Sequence, residues 1–141
     1  MKNYKPIFSN AARLRQEGND YIASSLARAG LRGVVPSHGD ILVNLLKNGS
    51  CRMSELAHAV GRSKSTVTTL IEKLEREGLV SRETDNADNR SVLVRLTEKG
   101  KGLEAVFEEI SAGLQALLSE RLTQEEQQML DALLRKATGQ K

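Results

Sequence analysis

The sequence predicts a mainly α-helical fold with one small β-hairpin. Three observations predict it. Apolar residues recur at i, i+3, i+4, i+7 along most of the chain. The period changes once, from 3.6 to 2, between residues 79 and 96. Just before that change a short helix, a glycine turn and a hydroxyl-rich helix follow one another.

The elements follow in chain order. Residues 7–30 read as a helix with Phe8, Ala12, Leu14, Tyr21, Ile22, Leu26 and Ala29 as its apolar positions, ended by Gly30 and Gly33. A second helix starts near Pro36, since proline suits a first helical turn, carries Ile41, Leu42, Leu45 and Leu46, and stops at "KNGS". "MSELAHAVG" is a short helix with Ser54 as its expected N-cap, preceded by Cys51 in a turn. Gly61 then turns the chain, and a helix begins at Ser63.

In "GRSKSTVTTLIEKLEREGLV" one helix face holds Val67, Leu70, Ile71 and Leu74. The other holds Ser63, Lys64, Ser65, Thr66, Thr68, Thr69 and Lys73. A merely solvated face usually carries Glu, Lys and Ala, which are better helix formers than Ser and Thr. "LVSRE" and "SVLVRL" then alternate around the turn-rich "TDNADNR", which reads as a hairpin. "TEKG" leads into a long helix with a seam of Leu103, Phe107, Ile110, Leu114 and Leu117. The last helix opens with a capping box from Thr123 to Glu126 and bears Met129, Leu130, Leu133 and Leu134.

The helix-turn-helix followed by a hairpin makes a winged helix-turn-helix. Its hydroxyl-rich helix is expected to enter the major groove of double-stranded DNA. Short side chains allow close approach, hydroxyls bond phosphates or bases, and a Thr methyl can touch a thymine methyl. The positive end of the helix at Ser63 favours phosphate.

Composition narrows the alternatives. With 141 residues, 28% charged residues and one cysteine, the chain is expected to be a single cytoplasmic domain without disulfides. No segment approaches a membrane span or a signal peptide. The net charge of +3 is modest, and no half of the chain is a basic tail, so charge toward DNA must be placed locally. Four aromatic residues offer no stacking platform for RNA. No catalytic set is visible, since Ser37, His38 and Asp40 lie too close in sequence to form a triad. Neither a cofactor nor a metal site is expected, because His38 and His58 sit in no ligand cluster.

The chain resembles the MarR family of transcription regulators. "MSELAHAVGRSKSTVTTLIEKLEREGLVSR" resembles that family's helix-turn-helix, and "DNRSVLVRLTEKG" its wing signature, with Asp88, Arg90, Leu96, Thr97 and Gly100 at the matching positions. The resemblance implies a homodimeric regulator, most often a repressor, with a winged helix-turn-helix lobe at 31–100 and a helical dimerisation region at 1–30 and 101–141. It implies a wing arginine, Arg90, in the minor groove, supported by Asp88. It also implies a small-molecule effector bound near the dimerisation helices, where Tyr21, His38 and Phe107 are the expected lining. Two positions depart from the family pattern: Thr69 stands where an arginine is common, and the wing tip has the single Arg90.

Each reading has a competitor. The hydroxyl face could be solvated surface, and Tyr21, His38 and Phe107 could be ordinary core. Cys51 reads as a small, partly buried residue rather than a redox sensor. The rival function is a winged helix used for protein–protein contact without DNA. It predicts an apolar or acidic outer face on helix 63–77.

Overall fold

The computed structural model describes residues 2–85 and 88–140, the side chains at 85 and 88–90 excepted. The element order is α1 (Ile7–Arg28), α2 (Pro36–Asn48), β1 (Cys51–Arg52), α3 (Met53–Val60), α4 (Lys64–Arg76), β2 (Val80–Asp85), β3 (Asp88–Leu96), α5 (Glu98–Lys101), α6 (Glu104–Ser119) and α7 (Gln124–Ala137). The helical majority and the hairpin agree with the sequence. Two compact units divide after Phe107.

The first unit holds the helix-turn-helix and the sheet. Its interior is aliphatic: Leu26, Ile41, Leu42, Leu56, Val67, Ile71, Leu74, Leu79 and Val94 are fully buried. Each such side chain contributes about 1.5–3 kcal/mol on leaving water. Gly61 caps α3 in the left-handed region (φ 67°), a conformation that costs glycine little, and Ser63 then accepts the Thr66 amide at 3.2 Å to start α4.

The sheet has three strands in the order β1-β3-β2, all antiparallel. Val80 faces Leu96 and Thr84 faces Val92 across the hairpin, and Cys51 faces Val94 on the other edge. The strands run further toward the tip than β propensity alone suggests, because the ladder carries Asp and Asn along with its stronger members. Cys51 is therefore in a strand, not a turn. A two-residue strand has no period to detect. It also delivers the chain straight into α3, so Arg52 occupies the N-cap without a side-chain cap bond, and Ser54 lies inside the first turn.

A short helix precedes the expected long one. Thr97 caps a four-residue helix by accepting the Gly100 amide at 3.1 Å, and α6 starts only at Glu104. Leu103 stands just ahead of α6, its carbonyl accepting from the Phe107 amide at 3.0 Å. Gly100 is packed hard. A methyl group there would lie 2.2 Å from the Leu79 carbonyl oxygen and 3.0 Å from Leu96 Cδ2. Thr97 donates its backbone amide to that same carbonyl at 3.0 Å and its hydroxyl to the Gly78 carbonyl at 2.6 Å. The return from the hairpin is fastened in this way to the end of α4.

In the second unit α7 carries the predicted capping box, with the Thr123 amide donating to Glu126 at 2.8 Å and the Glu126 amide to Thr123 at 3.2 Å. Gln127 ties the preceding turn by donating to Ser119 at 3.2 Å and to the Leu122 carbonyl at 3.1 Å. No residue of α7 is buried, and Met129, Leu133 and Leu134 are exposed. Tyr4, ahead of α1, and Ile7, Phe8 and Leu14 in its first half are exposed too.

Candidate nucleic-acid interface

At about 100° per residue, Val67, Ile71 and Leu74 fix the inward direction of α4. Opposite them stand Ser65, Thr69, Glu72 and Arg76, all exposed. Ser63 and Thr66 are also exposed but belong to the cap: the Ser63 hydroxyl lies 2.8 Å from that of Thr66 and 3.2 Å from that of Ser65. Thr69 donates its hydroxyl to the Ser65 carbonyl at 3.2 Å, and Thr68 donates to the Lys64 carbonyl at 2.9 Å. Each hydroxyl proton is thereby used within the helix, and the lone pairs remain as acceptors.

Thr68 and Lys64 lie on one flank of that ridge. With Arg52, Ser54, Arg82 and Ser91 they line a recess of about 240 Å³ between α3, α4 and the hairpin. Three cations thus surround one small space on this side of the helix-turn-helix. Arg82 is held by Glu75 of α4 at 2.8 Å, and Arg52 lies 3.8 Å from Glu55. Lys64 is exposed, with no ion-pair partner among the described residues.

Lys73 is on the opposite flank. It donates to Glu77 at 2.8 Å and holds that carboxyl below its usual range, and it lies beside the Gly33 turn. Half-buried and paired, it is not brought together with the outward hydroxyls. Arg76 takes its place on the ridge. Sequence reading missed Arg76, although it lies seven residues after Thr69 on the same face; Arg52 and Arg82 reach the recess only through the sheet.

The model of the MarR family matches residues 36–92, from α2 into the hairpin. The HTH-type transcriptional repressor MdtR of Bacillus subtilis is 33% identical over 102 residues, 72% of this chain and 64% of that protein. An uncharacterised HTH-type transcriptional regulator of the same organism, YwhA, is 35% identical over 107 residues, 72% of this chain and 77% of that protein. The chain belongs to the MarR family. It is a helix-turn-helix transcriptional regulator. The fold also matches that of a mutant Escherichia coli MarR complexed with operator DNA, with a TM-score of 0.84 at 22% identity over 94% of this chain and 93% of that one.

Within this MarR-family chain the remaining expected residues fare unequally. The Asp88 and Arg90 side chains lie outside the described residues; their backbones belong to β3. The buried His38 ring accepts the Val35 amide at 2.9 Å through Nδ1, which makes it part of the α2 cap. Burial, and then the charge of Lys73, lower its pKa. Phe107 packs 3.6 Å from the position of a Cβ on Gly39, and Tyr21 is half-buried in α1. Neither the recess beside Thr68 nor a second one of about 440 Å³ beside Leu45 and Leu96 is lined by these three residues. Cys51 is half-buried, and burial, then Glu55, raises its thiol pKa, opposite to what a reactive thiolate needs. Among the described residues no group of three His, Cys, Asp or Glu could hold a metal, and no helix is long and apolar enough to cross a membrane.

Proposed function

We propose that this regulator binds an operator duplex as a cytoplasmic homodimer, with α4 of each subunit in the major groove, and acts as a repressor. The observation that carries the reading is the ridge of Ser65 and Thr69 beside the recess where Arg52, Lys64 and Arg82 converge. The ridge can approach base edges, while the cations and the Ser63 cap position the phosphates. Thr66 supports that cap, Thr68 reaches a base from the flank, and Arg90, steadied by Asp88, contacts the minor groove. Lys73 acts at most through Glu77.

The exposed apolar residues of α1 and α7 support dimerisation, since such stripes seek a partner. The dimerisation region comprises 1–30 and 101–141 and the DNA-binding lobe 31–100 of one domain. A small-molecule effector relieves repression. Of the expected pocket residues, His38 serves it indirectly, through the α2 cap, while Tyr21 and Phe107 flank it.

The test is footprinting and titration on the DNA upstream of the chain's own gene. Two half-sites about 10 bp apart are expected, because a two-fold dimer presents its helices one turn apart. Adding about 5 bp between them should abolish tight binding by turning one half-site away. Undiminished affinity after that insertion refutes the arrangement.

A further inference from the structure

The outward ridge of α4 contains one carboxylate. Ser65, Thr69, Glu72 and Arg76 succeed one another opposite the buried face, and each is exposed. Two other acids of the α4 region are neutralised: Glu75 by Arg82 and Glu77 by Lys73, both at 2.8 Å. Glu72 has no hydrogen bond or ion pair among the described residues. An acid in this position weakens binding to the phosphates of every sequence. It contributes favourably only where a base edge donates to it.

We infer that Glu72 discriminates between operator sequences, selecting cytosine at one base pair of each half-site by accepting from its N4 amino group. The inference rests on the reading that α4 enters the major groove. A carboxylate is acceptor-only. In the major groove just two bases donate: cytosine through N4 and adenine through N6. Adenine sets the N7 acceptor beside its amino group, which repels a carboxylate, whereas the cytosine edge has the donor alone. Guanine N7 and O6 and thymine O4 are all acceptors. Placement agrees with chemistry. Ser65, Thr69 and Glu72 lie about one helical turn apart, near 5–6 Å, so the three span about three base-pair steps of 3.4 Å. The hydroxyls of the first two turns tolerate several bases, while the third turn presents a group with one good partner.

The test is selection from a randomised duplex library by the intact protein, its Glu72→Gln variant and its Glu72→Ala variant, with urea unfolding to verify equal folding. The wild type should enrich cytosine at one position per half-site. Glutamine bonds adenine N6 and N7 together, so Glu72→Gln should move the preference at that position to adenine. Glu72→Ala should relax it, with a loss of roughly 5- to 150-fold in discrimination against the wrong base. The rest of the half-site should persist in both. If all three proteins enrich the same motif, and the variants bind every duplex more tightly by one common factor, Glu72 is only a repulsive charge and the inference falls. If the wild type enriches no motif, the DNA reading itself falls, and this inference with it.

Discussion

Gly100→Ala is a small change with a severe steric consequence. The added methyl would stand 2.2 Å from the Leu79 carbonyl oxygen, and also 3.2 Å from the Leu79 carbonyl carbon and 3.0 Å from Leu96 Cδ2. Relief requires a backbone shift of about 1 Å, since overlaps of this kind are not sustained in packed interiors. That carbonyl accepts from Thr97, whose side chain also binds Gly78, so the shift disturbs two hydrogen bonds as well. Overpacking costs about 1–3 kcal/mol and the two bonds about 0.5–1.5 kcal/mol each, offset by about 1 kcal/mol of helix propensity. The net expectation is a loss of about 3 kcal/mol. Urea unfolding followed by circular dichroism, at fixed protein concentration because dimers unfold with mass action, measures it. Gly102→Ala is the control. Its added methyl meets only the Lys99 and Glu98 carbonyl oxygens, at 3.3 and 3.7 Å, and its φ of −65° suits alanine. If Gly100→Ala unfolds at the same midpoint as Gly102→Ala or the wild type, the packing argument is refuted.

Three further outcomes are expected. Lys64→Ala should weaken binding to specific and scrambled duplexes alike and flatten the salt slope by up to about 2 units per dimer, read from titrations at several salt concentrations. Thr123→Ala removes one half of the α7 capping box and should cost about 1 kcal/mol in urea unfolding, with a smaller cost for serine, which keeps the hydroxyl. Burial favours neutral His38 in the native state, so its contribution to stability is complete above its unfolded value near 6.5 and is lost as pH falls toward the lower folded value. Unfolding measured between about pH 7.5 and 5 should show that decline, and His38→Asn should flatten it.

Local chemistry made the helices legible. The caps at Ser63 and Thr123 depend on residues three positions apart, and both are formed as their sequences suggest. What was misplaced depended on phase or on distant pairing. Lys73 is basic and solvent-compatible, but its position on α4 is fixed by Val67, Ile71 and Leu74, which turn it toward Gly33 and Glu77. Strand β1 exists because β3 is there to pair with it, and no window around Cys51 contains that fact. For His38 the sequence leaves a ligand role and a structural role both open; its ring accepts the Val35 amide, the structural role, through a rotamer that composition cannot reveal. Gly100 was readable as part of a signature, but its reason is a carbonyl at Leu79 far upstream.

The strand order β1-β3-β2 has a consequence for the birth of the molecule. Both ends of the segment that carries α3 and α4 are held by the same strand, through Cys51 with Val94 and Val80 with Leu96. Of the three strands, that one is made last during translation. From Arg76, where α4 ends, to Leu96 a ribosome takes about 1–4 s, an interval in which the helix-turn-helix is already synthesised but nothing yet closes it. Both ends of that segment are closed only when the residues up to Gly100 are free to dock, so a chain truncated within the hairpin carries α3 and α4 without the strand that fixes them.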